Sequence, residues 1–221
     1  MTEEAKAAEE IAKATSKPLD TLNAAGRAIA KYFGGSLEQI SGIIEDKLRY
    51  LRWERSVRLL DRADLFLANR GLDHPNRPVP IQLLIPVLEA GSLEENDQMQ
   101  DRWSALLANA ADASFNLEIR RAFVSILEDL TPLDAANLEK IYSTMVVPNI
   151  EAEVYTTSLP DHTSEYQEEP NRPSPEVEVS LANLARLGLI TSAMMWSGYG
   201  IYGCVYRTVL GTNFLRAITA T

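Results

Sequence analysis

The sequence predicts a mainly α-helical protein that ends in a winged helix-turn-helix-like unit with a β-hairpin. Apolar residues recur at spacings of three and four in successive segments, and glycine or proline marks where most of those segments stop. Near the C terminus, a run rich in β-branched and aromatic residues turns on glycine. Hydrophobic residues make up 46% of the 221 positions, which is enough for a core.

Residues 1–73 are predicted to form an N-terminal helical region with one long amphipathic helix. Ser36 and Gln39 form a capping-box pair that would open this helix, and Gly71 would end it. Its apolar stripe, interrupted by Asp64, comprises Ile43, Tyr50, Trp53, Val57, Leu60 and Leu67. A proline-rich connector follows and predicts a domain boundary at residues 74–80.

Residues 80–221 are predicted to form a second domain that begins with further helices. Ser92 and Glu95 have capping-box spacing, so a helix is expected to start there. Thr131 and Pro132 predict the N-cap and first turn of a later helix that extends to Tyr142.

An acidic segment at about residues 146–174 interrupts the helical pattern. Residues 146–178 contain eight acidic residues against one basic residue, with several prolines and few large apolar side chains. Such a composition predicts a long exposed or disordered insertion.

The C-terminal segment predicts a helix followed by a hairpin. Ser174-Pro175 would start the helix, which would bury Val177, Leu181, Leu184 and Leu187 before Gly188 ends it. Residues 189–196 and 201–210, joined through Gly198-Tyr199-Gly200, would form the two arms of the wing, ahead of a short closing helix that contains Phe214.

Charge and composition limit the class of partner and the compartment. The net charge of −10 disfavours nucleic acid as a partner. The single Cys204 excludes a disulfide within one chain and fits a reducing compartment. The first six residues are acidic where a signal peptide would be basic, and no apolar run of about 18 residues occurs. We therefore expect a cytoplasmic protein without a membrane span.

Positive charge is concentrated on one face of the long helix. Residues 47–62 contain six basic residues against two acidic ones. We call the arginine face the set Arg49, Arg52, Arg55, Arg58 and Arg62. It is either the solvated side of an amphipathic helix, neutralised in part by glutamates one turn away, or a docking surface for an anion or an acidic partner.

The sequence contains no cluster typical of catalysis, of a cofactor or of a metal. Residues 198–203 match the letters of a dinucleotide-binding glycine motif, but a β-like run follows where that motif needs a helix. His74 and His162 have no second ligand at metal spacing, and Cys204 has no neighbouring base that would activate it. We predict a protein that is not an enzyme, with no cofactor and no metal.

Five segments, taken in order, resemble the bacterial abortive infection alpha family over roughly residues 45–218. They are Trp103-Ser104-Ala105-Leu106-Leu107-Ala108-Asn109-Ala110, Phe123-Val124-Ser125-Ile126-Leu127, Leu130-Thr131-Pro132-Leu133-Asp134, Asn183-Leu184 through Ile190, and Tyr206 through Phe214. The resemblance implies a bacterial or prophage-borne cytoplasmic protein, helical in front and winged-helix-like behind. It implies a role in phage defence in which infected cells stop supporting phage growth, and no catalytic residue.

Two functions remain open, with an enzyme such as a nuclease as a weaker third. One is a non-enzymatic defence effector or sensor that acts through a protein partner, with a second copy of the chain as one candidate. Its candidate contacts are the arginine face and, at the wing, Met194, Met195, Trp196 and Tyr199; ordinary hairpin packing is the rival explanation for those four. The alternative is a winged-helix DNA-binding regulator, although the helix that would enter the groove begins with Glu176 and Glu178.

Overall fold

The computed structural model describes residues 26–34, 53–143, 153–163, 172–194 and 200–220. This part of the chain contains eight helices and one three-stranded antiparallel sheet, so the mainly helical prediction is confirmed. It divides into two compact units, one N-terminal to Ala122 and one that spans Ala122–Thr219. The capping pair Ser36 and Gln39 lies outside the described residues.

The first unit contains four described helices. They are α1 (residues 26–33), α2 (Trp53–Asn69), α3 (Ile81–Leu93) and α4 (Asp97–Ala111). Helix α2 packs against both α3 and α4. The core of this unit includes Tyr32, Leu59, Leu60, Leu67, Leu84, Leu88, Trp103 and Leu106, each with at most 2% of its surface exposed.

Helix α2 ends just before Gly71, as the sequence predicts. Gly71 has a φ of 77°, and the Leu72 N–H donates to the Leu67 carbonyl at 3.0 Å. Asp64, which interrupts the apolar stripe, accepts hydrogen bonds from Tyr32 at 2.8 Å and from Lys31 at 2.9 Å. The polar interruption therefore joins α2 to α1.

The proline-rich connector, where the sequence places a domain boundary, lies inside the first unit. Its Asn76 and Arg77 N–H groups donate to the Ala111 carbonyl at 3.1 and 3.0 Å, and the Val79 N–H donates to Tyr32 at 2.9 Å. These backbone bonds fix the connector to α1 and to the end of α4, so helices on both sides of it share one core.

The predicted capping box at Ser92 and Glu95 is wrong. Ser92 is buried within α3, and its hydroxyl donates to the Glu89 carbonyl at 2.9 Å. Asn96 instead caps α4, because its side-chain oxygen accepts the Met99 N–H at 3.1 Å. Because the apolar segment continues to Leu93, α3 extends past Ser92, where the sequence predicts that the next helix starts.

The second unit combines four helices with the sheet. In order, these elements are α5 (Arg121–Glu128), α6 (Pro132–Ser143), β1 (Glu153–Tyr155), α7 (Pro175–Arg186), β2 (Ile190–Met194), β3 (Gly200–Arg207) and α8 (Val209–Ala217). Strand β3 lies between β1 and β2 and is antiparallel to both. The winged-helix interpretation stays a prediction, because the segment between β1 and α7 is described only in part.

Local signals set the ends of α6 and α7 as predicted. Thr131 caps α6, and the Asp134 carboxylate accepts the Thr131 N–H in return at 2.8 Å. Ser174 caps α7, and Gly188, with a φ of 74°, ends it. Val177, Leu181 and Leu184 are buried as predicted, as is Phe214 of α8, whereas Leu187 is only half-buried.

Two further predictions for this unit are wrong. The segment 146–174 is not exposed throughout, because it contains β1, whose Val154 is paired with Val205 and is 2% exposed. The second hairpin arm does not reach residue 210, because Thr208 caps α8 by accepting the Gly211 N–H. Within the described part of the chain, no helix is both long and apolar enough to cross a bilayer.

Candidate interaction surface

The described arginines of the arginine face differ in how many hydrogen bonds and ion pairs they make with other residues of their own unit. Arg55 donates to the Glu94 carbonyl and lies 3.4 Å from the Glu95 carboxylate. Arg62 lies 3.0 Å from the carboxylate of Asp97 and 2.9 Å from that of Asp101. Arg55 therefore binds the turn between α3 and α4, and Arg62 binds the N-terminal end of α4.

Arg58 has a different setting on the same helix. Half of its side chain is exposed, and the carboxylate of Glu54, one turn earlier, is 3.8 Å away. Arg49 and Arg52 lie outside the described residues. Among the described members of the face, Arg58 is therefore the one most available to a partner.

A buried ion pair closes the C-terminal end of α4 in the first unit. Arg70 donates to Asp112 at 3.2 Å and to the Asn109 side chain at 2.7 Å, while Ser114 donates to Asp112. Burial acts to raise the pKa of Asp112, but the hydrogen bonds from Ser114 and the pairing with Arg70 lower that pKa overall. The folded unit therefore favours the ionised carboxylate.

We expect Asp112→Asn to remove a pH-dependent contribution to stability. A carboxyl whose pKa is lowered on folding stabilises the native state above its unfolded pKa of about 3.9, and this contribution disappears as the pH falls through the folded pKa. The variant should lose roughly 1–3 kcal/mol at pH 7. Urea unfolding from pH 7 to pH 3 should show the two proteins converging in acid, whereas Gln98→Ala, at an exposed position of the same unit, should parallel the wild type throughout. A loss that stays constant over this range would contradict the assignment.

The joint between the hairpin and α8 is organised by the hydroxyl of Tyr142. This hydroxyl donates to the Leu189 carbonyl at 2.6 Å and accepts the Thr208 N–H at 2.9 Å. The Arg207 guanidinium stacks 5.6 Å from the centre of the Tyr142 ring, and its Nε donates to the Ile141 carbonyl at 2.9 Å. Burial raises the pKa of Tyr142, so the hydroxyl stays protonated at neutral pH. These contacts are structural.

Cys204 is buried on β3, in agreement with the prediction of an inert thiol. Burial, with a smaller contribution from Glu153, raises the pKa of this thiol to about 11. Glu153 is the first residue of β1, and its carboxylate accepts hydrogen bonds from the hydroxyls of Tyr155 at 2.6 Å and Tyr206 at 3.1 Å. These bonds hold the carboxylate against the sheet. Within the described residues, no group of three or more histidine, cysteine or acidic side chains is arranged to hold a metal.

The wing contacts predicted from the sequence are mostly outside the described part of the chain. Met194 is the last residue of β2, and Met195, Trp196 and Tyr199 lie outside the described residues. Their role as partner contacts stays a prediction.

A groove that the sequence analysis did not single out lies between α6 and α7. Its volume is about 750 Å³, and it is lined by Thr131, Pro132, Leu133, Asp134, Glu176, Val179, Ser180 and Asn183. Val179 is 71% exposed. A signal was present in the sequence: Val179 falls outside the buried stripe of Val177, Leu181 and Leu184, on the polar side of the helix.

Fold and surface together define a mainly helical protein with a small antiparallel sheet, in which Arg55, Arg62 and Arg70 pair with acidic groups of their own unit. The family model for abortive infection alpha matches residues 54–218. The chain therefore belongs to the abortive infection alpha family, a family associated in general with phage defence and not known as one of enzymes. Comparison with curated proteins and with solved structures gives no match.

Proposed function

We propose that this protein is a cytoplasmic, non-enzymatic effector or sensor of abortive infection that acts through association with another protein. The observation that carries the proposal is the exposed side of α7, which presents Glu176, Val179 and Asn183 rather than a row of basic residues. If the second unit is a winged helix, α7 is the helix that would enter a DNA groove. An acidic and apolar surface at that position suits a protein partner better than a phosphate backbone.

Most of the described basic residues of α2 and α7 give DNA binding little further support. The only basic residue of α7, Arg186, lies 2.9 Å from the carboxylate of Asp129. On α2, Arg55 and Arg62 are held by acidic groups of the same unit. A gel-shift assay with duplex DNA at low salt should therefore show no complex. A shift that weakens steeply as salt rises would establish the alternative of a DNA-binding regulator.

Arg58 provides the direct test of the arginine face. We expect Arg58→Glu to keep the thermal unfolding of the wild type, because an exposed charge contributes little to stability, and to lose phage protection. The measurement is the plating efficiency of a phage panel on a bacterial host that expresses each variant, with at least a tenfold rise expected for phages that the wild type restricts. Arg27→Glu, a charge reversal at another exposed position of the same unit, should protect normally.

The same assays identify the rival outcomes. If Arg58→Glu protects fully, the arginine face is only the solvated side of an amphipathic helix and does not bind a partner. A combined change of Met194, Met195 and Trp196 to alanine tests the wing in the same way. If a second copy is the partner and docks through charge, sedimentation of the wild type should show association that weakens as salt rises.

A further inference from the structure

The groove between α6 and α7 has two fixed walls. Asn183 on α7 donates to Asp134 on α6 at 3.0 Å and to the Asp129 carbonyl at 2.9 Å. One turn of α7 earlier, Ser180 accepts a hydrogen bond from buried Asn137 at 2.9 Å. Because side chains link the helices along the groove, its shape is set before any ligand arrives, which lowers the entropic cost of binding.

The lining of the groove combines apolar side chains with acidic ones. Pro132, Leu133 and Val179 supply apolar surface, and Glu176 supplies exposed negative charge. Asp134 also lines the groove, but it is buried and its carboxylate accepts hydrogen bonds from the Thr131 N–H and from Asn183. Among the residues that the structure describes, no lysine or arginine lines it. Val179 has an exposed fraction of 71%, the highest among the large apolar side chains that the described residues expose.

We propose that this groove binds an amphipathic helix of a partner protein that carries apolar anchors and basic residues. An apolar stripe would cover Val179 and Leu133, while lysine or arginine at the edge of that stripe would meet Glu176. This is recognition of a helix in a groove, with specificity supplied by charge at the rim. A phosphate backbone would meet the exposed carboxylate of Glu176 there, with no lysine or arginine among the described lining residues to neutralise it. The proposal rests on the proposed function, since it names the chemistry of the partner and a second surface that receives it.

A pair of designed helices serves as the probe. One fluorescent peptide consists of leucine and lysine in an amphipathic helical pattern, and the second replaces every lysine with glutamate. The full-length protein should bind the leucine–lysine helix, with an affinity that falls as salt rises, and should not bind the leucine–glutamate helix. Fluorescence anisotropy measures both affinities. Equal binding of the two peptides, or no binding of either, would overturn the proposal.

Substitutions in the groove locate the binding site. Val179→Asp and Glu176→Lys should each weaken binding of the leucine–lysine helix at least tenfold, while thermal unfolding stays unchanged because both side chains are exposed. Val209→Asp is the matched apolar control, since Val209 is 59% exposed on α8 of the same unit. Asp161→Lys is the matched charge control at an exposed loop position. If the controls weaken binding as much as the groove variants, the peptide binds elsewhere and the proposal fails.

Plating assays separate failure of this proposal from failure of the proposed function. If the wild type restricts phage and Val179→Asp restricts it equally well, the groove is not the partner site and the defence role stands. If the wild type restricts no phage, the defence role fails, and the peptide measurements alone decide the chemistry of the groove. Loss of restriction by Val179→Asp, with Val209→Asp still active, supports the proposal.

Discussion

Replacing Gly211 with alanine is expected to destabilise the second unit by about 3 kcal/mol. Gly211 is buried in the first turn of α8, and a Cβ atom there would overlap the hydroxyl of Tyr142 and the backbone carbonyl of Leu189. Neither group can yield easily, since the two are hydrogen-bonded to each other and the hydroxyl also accepts the Thr208 N–H. The added methyl group must therefore displace α8 or break these bonds.

Native-state hydrogen exchange with urea as denaturant measures this effect by unit. Protection should fall for amides of residues 122–219, whereas Val209→Ala, at an exposed position of the same helix, should have a small effect. Combining Gly211→Ala with Tyr142→Phe should restore only part of the loss, because the Leu189 carbonyl remains in the way. If Gly211→Ala is as stable as the wild type, then Gly211 lies farther from the Tyr142 hydroxyl and the Leu189 carbonyl than the structure shows.

The sequence predicts the features of this fold that depend on neighbouring residues. Ser174 and Thr131 start helices because a side-chain oxygen reaches an N–H three residues on, and Gly188 ends one because glycine adopts positive φ without strain. Both effects operate within one turn of helix. Burial of Leu181 and Leu184 likewise follows from helical spacing alone.

Features that depend on distant residues were missed. Strand β1 has only three residues and exists because it pairs with β3, about fifty positions later. Residue Gly211 reads as a loop glycine in the sequence, and only the placement of Tyr142 shows why a larger residue does not fit. Tertiary contacts decide both cases, and no local pattern reports them.

Of the candidate interaction surface, the sequence alone predicts the charged residues but not their partners. The cluster of arginines is plain in the sequence, but the sequence does not reveal that acidic groups of the α3–α4 turn and of α4 hold Arg55 and Arg62. The groove between α6 and α7 could be foreseen in one residue, since Val179 is an apolar residue on a polar helix face. Its opposite wall at Leu133 requires the packing of two helices separated by more than thirty residues.

Replacing Trp103 with alanine is expected to cost about 3–5 kcal/mol in the first unit. Trp103 is 2% exposed on α4, and Gly91 of α3 approaches it so closely that a Cβ at Gly91 would lie 3.3 Å from two of its atoms. Truncation leaves a cavity that this tight packing cannot collapse to fill. Urea unfolding should show the loss, while Leu93→Ala, with 61% of its side chain exposed in the same unit, should change stability by less than about 0.5 kcal/mol.

Core residues and partner-contact residues are expected to differ in how their substitution affects stability and phage protection. Trp103→Ala should lose phage protection together with stability, because the segment at residues 103–110 is buried and serves the core rather than a partner. Val179→Asp should lose protection with stability retained, because Val179 faces solvent. Measuring unfolding and plating efficiency on both variants tests this division. A stable Trp103→Ala protein without protection would instead place Trp103 in the partner site.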